Sequence, residues 1–334
     1  MILKKKRIVV LLLLKLLFII ILGIGVIFYY ILKGNTNNIH EKWKKYYKNP
    51  VLGNDKTDTV FDPYVMIDNN GLYRNYVSWR IYGAIAISTS VNGFTWSDLK
   101  IVLDKGKENN WDAIVNRASV IYKDGIYLMW FTGQNNGISK IGFAKSADGY
   151  NFEKFEKPIL IPEYDYEKYS VMNPHVIYDR KEKIYKMWYS AGETLEPDVI
   201  GYATSEDGIS WVKYNYNPIF TPSKNKLLLD SFKIGGCDVH KISDNKYIMF
   251  YIGYTNINTA RIFVSESKDG INNWKRSINP IIYSTNKDDF DGEACYKPSA
   301  IYDKKSNKWM LWYNGRKKNK EYIGLAIYNN FKII

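Results

Sequence analysis

Asp62, in the stretch TVFDPYVMI, is the first residue whose type and position suit chemistry. A carboxylate at the mouth of an apolar run can serve as the base of an active site. Asp followed by Pro63 is also an ordinary turn opener, because proline fixes φ and the aspartate side chain bonds its own backbone. The residues at the equivalent positions of similar segments along the chain decide between these two interpretations.

Five similar segments supply those equivalent points, and they read FDPYVMIDNNGLYRNYVSWR, NRASVIYKDGIYLMWFTGQ, MNPHVIYDRKEKIYKMWYSAG, GGCDVHKISDNKYIMFYIGY and YKPSAIYDKKSNKWMLWYNGR. Their alignment places one polar or glycine residue in a shared register, namely Asp62, Arg117, Asn173, Gly236 and Lys297. Two residues later stand Tyr64, Ser119, His175, Asp238 and Ser299. Positions further along stay apolar, so this polar variety predicts a ligand site. A solvated ring of strand ends without a ligand is the alternative.

The segments read as hairpins, each a strand, a turn and a second strand rich in Tyr, Trp and Met. Four of them are followed by a second motif, IAISTSVNGFTW, IGFAKSADGYNF, IGYATSEDGISW and IFVSESKDGINNW. Its serines, Ser90, Ser146, Ser205 and Ser267, recur at roughly 56 to 62 residues. Asp-Gly and Asn-Gly are tight hairpin turns. Repeats of this size predict an all-β protein, a five-bladed β-propeller.

A short proline motif, NPVL, KPIL, NPIF or NPII, accompanies the repeats and suits a sheet edge. Its first copy, residues 49–52, precedes the first blade, and the last blade ends without one. We therefore expect residues 49–52 to supply the outer strand of the fifth blade and to close the ring. We expect the second-strand tryptophans to pack between blades; they are Trp79, Trp130, Trp188 and Trp312.

The N-terminal segment lacks the repeats and is instead basic and then strongly apolar. Residues 8–32 are apolar except for Lys15, and four basic residues precede them. That length and charge pattern predict a transmembrane signal-anchor over residues 1–33, with a cytoplasmic N-terminus, a tether over 34–48 and the propeller over 49–334 outside the cytoplasm. A cleaved signal peptide is the alternative.

The formal net charge is +13, but residues 1–50 carry nine of these charges, so nucleic acid is not an expected partner. Cys237 and Cys295 are expected to be buried thiols, although an exported chain could oxidise them. The three histidines form no ligand cluster and no Gly-rich phosphate loop is present, so neither a metal nor another cofactor is expected.

The FDP opening, the Ser-x-Asp-Gly-x-x-Trp turns and the closing WYNGR and EYIGLA resemble the five-bladed glycoside hydrolases of families 43, 32, 68 and 130. The resemblance covers about residues 49–328 and extends to bacterial glycosidase-like proteins. It implies that Asp62 is the first-blade carboxylate that acts as general base or nucleophile.

Cleavage of a glycosidic bond needs a second carboxyl group. Families 43 and 32 place a glutamate at the start of a late blade, where this chain has Gly235 and Gly236. Asp238, and Glu293 before the fifth inner strand, are the expected candidates. The family 32 third-blade aspartate is Asn173 here, and the family 130 catalytic aspartate falls on Arg117.

Arg117, Lys233 and Lys297 favour an anionic ligand, such as a uronic acid, a phosphorylated glycan or free phosphate. The other expected substrate-binding residues are Asn173, His175, Arg80, Glu196 and Arg316. The predicted function is hydrolysis of a cell-surface or environmental glycan. A carbohydrate-binding propeller without catalysis and a family 130-like phosphorylase are the alternatives.

Overall fold

Alternating apolar and polar residues, interrupted by Asp-Gly and Asn-Gly turns, fold here into short antiparallel strands. The computed structural model describes Phe18 and residues 42–303 and 306–329. Within these residues it contains twenty β-strands and two 3-10 helical turns. The strands form five antiparallel four-stranded blades, of which the second and third are joined by a parallel bridge between Ser139 and Ser170. The all-β prediction is confirmed.

The blades follow one another along the chain, from the innermost strand outward. Blade one contains β2 (Val60–Ile67), β3 (Tyr73–Trp79), β4 (Ala84–Ser90) and β5 (Lys100–Leu103). Blade two contains β6 (Ile114–Lys123), β7 (Ile126–Asn135), β8 (Ile138–Ser146) and β9 (Glu153–Lys154). Blade three contains β10 (Ser170–Asp179), β11 (Ile184–Gly192), β12 (Val199–Ser205) and β13 (Val212–Lys213). Blade four contains β14 (Lys233–Ser243), β15 (Lys246–Asn256), β16 (Thr259–Ser267) and β17 (Lys275–Arg276). Blade five contains β18 (Ala294–Asp303), β19 (Lys308–Lys317), β20 (Lys320–Asn329) and, from the start of the described chain, β1 (Trp43–Lys45). The 3-10 turns are η1 (Arg80–Tyr82) and η2 (Asp165–Glu167).

The inner strands of successive blades pack against each other, and β18 packs against β2, so the five blades form a closed ring. The Ser-x-Asp-Gly and Ser-x-Asn-Gly turns are wider than the tight hairpins expected, because six to nine residues separate the third and fourth strands. Ser90 Oγ accepts the Gly93 amide at 2.8 Å, and Asn92 Oδ1 accepts the Phe94 amide at 2.8 Å. Gly93 has a φ of 77°, a left-handed conformation that glycine adopts without strain.

Second-strand aromatic residues join neighbouring blades, as expected. The indole N–H groups of three tryptophans donate to the turn glycine carbonyl of the following blade, namely Trp130 to Gly208, Trp188 to Gly270 and Trp312 to Gly93. Trp79 also packs against a cluster shared by blades one and five, as expected, but it does not make the equivalent hydrogen bond. Tyr76 takes the equivalent place and donates to the Gly149 carbonyl at 3.0 Å, whereas the Trp79 indole donates to Thr57 within blade one.

The ring closes through both ends of the described propeller. Residues 49–52 pair with β20, since the Val51 amide donates to the Ile323 carbonyl at 2.8 Å. β1 continues this pairing, with Lys45 opposite Ala326. The propeller therefore begins at Trp43, inside the segment expected to be a tether, because Trp43 is buried against the blades while Lys44 points outward.

Buried acids bind the outermost strand in three blades. Each network contains an acid before the inner strand, a second-strand tyrosine and an outer-strand cation, and the networks are Glu167–Tyr189–Lys213, Asp230–Tyr251–Arg276 and Asp291–Tyr313–Lys45. In blade five the cation comes from β1, and its ammonium lies 2.6 Å from Asp291 Oδ2. This ion pair joins the two ends of the ring.

The predicted signal-anchor lies outside the described residues, apart from Phe18. In the described part of the chain, no helix has the length and apolar character needed to cross a bilayer. Cys237 and Cys295 are buried free thiols, as expected.

Candidate functional site

The five aligned positions form a structural ring. In every inner strand the pairing with the second strand slips by a β-bulge at this point. The residue in the bulge has a positive φ in each case, 50° at Asp62, 57° at Arg117, 50° at Asn173, 49° at Gly236 and 35° at Lys297. Such a conformation costs about 1 kcal/mol or more for a residue other than glycine, and strain of this kind concentrates at functional sites.

Side chains from the preceding blade hold four of these bulges. The bulge amides donate to second-strand oxygens, namely Arg117 to Ser78, Asn173 to Thr132, Gly236 to Ser190 and Asp62 to Asn314. Each bonding side chain is buried. The backbone of the site is therefore fixed by the contacts between blades.

A cavity of about 520 Å³ opens where the bulges of blades one to three face the axis. It is lined by side chains from all five blades, among them Asp62, Arg80, Arg117, Asn173, Glu196, Tyr254, Tyr296, Asn314, Arg316 and Glu321. Six of the predicted site residues are in this set: Asp62, Arg80, Arg117, Asn173, Glu196 and Arg316.

Asp62 is buried at the bottom of this cavity. Its Oδ2 lies 3.2 Å from Arg117 Nε. Burial raises the pKa of Asp62 above its ordinary value, and the positive charges of Arg117, Lys297 and Arg80 oppose that rise. A buried carboxylate beside a guanidinium can accept a proton from a bound ligand, or a hydrogen bond from one of its hydroxyl groups.

Glu321, at the start of β20, is a second carboxyl group of the cavity, with a side chain that is 12% exposed, and it is absent from the residues predicted from the sequence. Its Oε1 lies 2.6 Å from Arg80 Nη2, and its Oε2 accepts the Asn314 amide. Burial raises the pKa of Glu321 to about 7, with Arg80 opposing the rise and Asp62 adding to it. Asn314 also accepts the Asp62 backbone amide at 3.2 Å, so a single side chain binds to both acids.

A signal for Glu321 was present in the sequence. The third strands share an isoleucine, which is Ile85, Ile141, Ile200, Ile262 or Ile323. The residue two places earlier is an acid in only two of the five, Asp198 and Glu321. The alignment that located Asp62 on the first strands locates these two acids when it is applied to the third strands.

Glu196 is the third carboxyl group of the cavity. It accepts the Tyr254 hydroxyl, and burial raises its pKa, while that hydrogen bond and the charges of Arg117 and Arg316 oppose the rise. The surrounding loop is anchored by Lys233, whose Nζ donates to the Glu196 carbonyl at 2.8 Å and lies 2.9 Å from Asp198 Oδ1. Lys233 is thus a support of this loop and does not line the cavity.

Glu293 does not reach the cavity, contrary to its expected role beside Asp62. Its Oε2 lies 3.3 Å from Arg316 Nε, and its Oε1 accepts the Lys318 amide at 3.0 Å. The side chain is 44% exposed. Glu293 precedes the bulge by four residues, a strand length of about 13 Å, and this distance takes it beyond the cavity.

Asp238 and His175 follow their bulges by two residues, so they lie deeper along the axis than Asp62. Asp238 Oδ1 is 3.1 Å from His175 Nδ1, and Oδ2 is 3.0 Å from His240 Nε2. Burial lowers the pKa of His175 to about 4, against the charge of Asp238. These side chains line a cavity of about 1680 Å³ that does not contain Asp62.

Lys297 is buried in its bulge and donates to the Cys237 carbonyl at 3.2 Å. It lines neither of these two cavities. Lys297 therefore contacts the inner strand of blade four instead of facing the space where an anionic ligand was expected.

The arginines of the Asp62 cavity already have carboxylate partners. Arg117 pairs with Asp62, Arg80 with Glu321, and Arg316 with the Glu293 side chain outside the cavity. Among the described residues, no group of three or more His, Cys, Asp or Glu side chains is arranged to hold a metal ion. The chemistry that this cavity offers is therefore that of paired carboxyl groups oriented by guanidinium and amide groups.

Comparisons with known proteins agree with the propeller fold. Solved structures with the same fold include one titled "Glycoside hydrolase", with a TM-score of 0.70, 19% identity and coverage of 89% of this chain and 96% of that one. Another is titled as a study of mannoside phosphorylases and glycoside hydrolases of family GH130, with a TM-score of 0.65, 16% identity and coverage of 87% and 94%.

Curated relatives include two proteins of Thermoanaerobacter sp. (strain X514). The chain is 28% identical to 1,2-beta-oligomannan phosphorylase, over 53% of this chain and 57% of that protein. It is 30% identical to beta-1,2-mannobiose phosphorylase, over 46% and 52%. The chain thus spans little more than half the length of these two relatives. An uncharacterized protein of Mycobacterium tuberculosis is 26% identical, over 66% and 73%.

The family model described as beta-1,4-mannooligosaccharide phosphorylase matches residues 101–331, which is more than half of the chain. With the propeller and its central carboxyl groups in place, this match identifies the chain as a member of glycoside hydrolase family 130.

Proposed function

We propose that this protein hydrolyses β-mannosides, with Glu321 as the proton donor and Asp62 as the base. The observation that supports this assignment is that the carboxyl groups of Asp62 and Glu321 line one cavity. Asn314 holds both residues there, since it accepts the Asp62 backbone amide and donates to the Glu321 carboxyl group. Burial raises the pKa of Glu321 to about 7, so this acid keeps its proton near neutrality. Asp62 lies against Arg117, which favours its carboxylate form. Glycoside hydrolysis needs one acid and one carboxylate.

In this mechanism Glu321 transfers its proton to the glycosidic oxygen as the bond from that oxygen to C1 breaks. Asp62 takes a proton from a water molecule as the water oxygen bonds to C1 on the opposite face of the sugar. Glu196, which accepts the Tyr254 hydroxyl, binds sugar hydroxyl groups in the same cavity. The proposed substrates are β-mannosides, because the two similar phosphorylases are named for β-linked mannosides.

Phosphorolysis is the second candidate, since the matching family model carries the description of a phosphorylase. A phosphate ion needs cations that are free to bind it. Arg117 and Arg80 line the cavity but are paired with Asp62 and Glu321. Phosphate at Arg117 would have to displace the Asp62 carboxylate, which disfavours binding there. Phosphorolysis would instead use Arg80, beside the protonated Glu321, and Arg316, whose partner Glu293 lies outside the cavity.

The test is incubation of the full chain with β-1,2- and β-1,4-mannobiose, with and without inorganic phosphate. Hydrolysis releases mannose at a rate that does not depend on phosphate. Formation of mannose 1-phosphate that requires phosphate would refute hydrolysis and establish the second candidate. Micromolar binding without any product would instead support a carbohydrate-binding propeller.

Variants then test the assigned roles. We expect Asp62→Asn and Glu321→Gln each to lower kcat at least about 100-fold. Glu293→Gln is the matched control, because it removes a carboxylate that lies outside the cavity. An aryl mannoside with an activated leaving group should restore activity to Glu321→Gln alone. Equal rescue of both variants, or of neither, would contradict the assignment of Glu321 as donor.

We further propose that residues 1–33 anchor the enzyme in the cell membrane with the propeller on the extracytoplasmic side. The support is the basic and apolar pattern of that segment. Protease treatment of intact cells tests this orientation. Protection of the propeller in intact cells, with digestion after lysis, would exclude it.

A further inference from the structure

A third cavity, a depression of about 590 Å³, is lined in part by the residue that precedes the Asp62 cavity loop. We call it the tyrosine depression, and it is lined by Pro162, Glu163, Tyr164, Asp165, Lys168, Tyr169 and Glu193. Tyr164 and Tyr169 are 54% and 61% exposed. Two large aromatic side chains on the wall of one concave surface are a feature of ligand sites.

One loop separates the tyrosine depression from the Asp62 cavity. Glu193 lines the depression, and the next residues, Thr194 to Pro197, line the cavity. Thr194 Oγ1 lies 2.7 Å from Ser170 Oγ, and Lys168 Nζ lies 2.9 Å from Glu193 Oε1 and 2.8 Å from Asp198 Oδ2. The loop is thus held at both ends, and it has the depression on one side and the Asp62 cavity on the other.

The Tyr164 ring is held in a defined orientation. It is stacked on Tyr166, with an interplanar angle of 8° and 5.9 Å between ring centroids, and Lys213 Nζ lies 5.3 Å from its centroid. Its backbone amide donates to Glu167 Oε2 at 3.1 Å, and Glu167 is fully buried. A ring that is oriented in advance loses little conformational freedom when a ligand stacks on it.

The charges of the depression select against anions. Glu163, Asp165 and Glu193 supply three carboxylates. Glu163 pairs with Lys213 and Glu193 with Lys168, but each lysine is shared with a second acid, Glu167 or Asp198, so acids outnumber cations here. Carboxylates accept hydrogen bonds from hydroxyl groups and repel phosphate or uronic acid groups. Together with the tyrosine rings, they suit a neutral sugar, which presents an apolar face and hydroxyl edges.

We propose that the tyrosine depression binds additional sugar units of the glycan whose bond is cleaved in the Asp62 cavity. This inference rests on the proposed function, because it assigns a second binding surface to the same substrate. The enzyme then acts faster on mannooligosaccharides than on mannobiose, since a disaccharide held in the cavity does not extend across the loop to Tyr164 and Tyr169.

The test compares kcat/KM for β-linked mannobiose and mannopentaose. In the wild type the pentaose is favoured about tenfold or more, which corresponds to about 1.4 kcal/mol from the two stacking contacts together. The double variant Tyr164→Ala/Tyr169→Ala lowers this preference to about twofold and leaves mannobiose turnover unchanged. Tyr216→Ala is the matched control, because Tyr216 is 79% exposed and lines none of the three described cavities.

The proposal is overturned if the wild type shows no preference for the pentaose, or if the double variant retains that preference. Calorimetric titration of the wild type and the double variant with mannopentaose keeps the test independent of turnover. If no mannoside is cleaved, the proposed function fails while a loss of pentaose affinity in the double variant still supports the depression as a glycan site. Equal affinity in the two proteins overturns it.

Discussion

Replacement of Glu321 by glutamine is expected to stabilise the protein above neutral pH while it removes the proton donor. The pKa of Glu321 rises from its ordinary value of 4.5 to about 7 in the folded protein, because burial disfavours the charged carboxylate. Its side chain is 12% exposed, so solvent screens the effect only slightly.

The sign follows from proton linkage. Below pH 4.5 both the folded and unfolded states hold the proton, and the favourable contribution of protonated Glu321 is complete. Between pH 4.5 and about 7 the unfolded state releases its proton first, so the free energy of unfolding falls. At about 1.4 kcal/mol per pH unit, the accumulated loss above pH 7 is about 3 kcal/mol. Glutamine has no proton to release and is free of this loss.

Urea unfolding of the wild type and Glu321→Gln at pH 4.5, 6 and 8 measures the effect. The difference in the free energy of unfolding should grow in favour of the variant by about 3 kcal/mol between the lowest and highest pH. Glu293→Gln, the exposed control, should show no comparable trend. Parallel pH profiles for the wild type and Glu321→Gln would refute the buried, proton-holding state of Glu321 and, with it, its role as donor.

Two further predictions concern ring closure and the base. Lys45→Met should lower the free energy of unfolding by about 3 to 5 kcal/mol, because it leaves Asp291 as a buried charge without its cation. The control Lys44→Met, on the exposed side of β1, should change the free energy of unfolding by less than about 0.5 kcal/mol. Equal effects of the two variants in urea unfolding would contradict this account of ring closure. Arg117→Met should move the acidic limb of the pH profile of kcat/KM to higher pH by about one unit or more. The reason is that Asp62 loses the guanidinium that opposes the rise in its pKa. An unchanged acidic limb would show that Asp62 is not the titrating base.

The architecture of the propeller could be predicted from local sequence patterns. Turn glycines, strand alternation and second-strand aromatics each act over a few residues, and their recurrence revealed five blades. The same recurrence placed Asp62, Arg117 and Asn173 in one register, and the structure has a bulge at each of these positions. The prediction of residues 49–52 as a closing segment is also confirmed by their pairing with β20.

The composition of the site depended on tertiary structure. Strand residues advance by about 3.3 Å each, so an acid four residues before a bulge and one two residues after it come to different levels along the axis. Glu293 and Asp238 therefore lie apart from Asp62, although all three are close to the bulge register in sequence. The sequence spacing alone did not show which level opens into a cavity.

Ring closure determined which residues from the first and last segments of the propeller meet. Repeats along the sequence determined by themselves that blades would form, because each turn and strand depends on contacts between near neighbours. The meeting of Asp62 with Glu321, through Asn314, and of Lys45 with Asp291 requires the first and last segments of the propeller to pack together. Such long-range pairing depends on the geometry of the whole ring, since burial and the neighbouring charges that raise the pKa of Glu321 exist only after blades one and five have met.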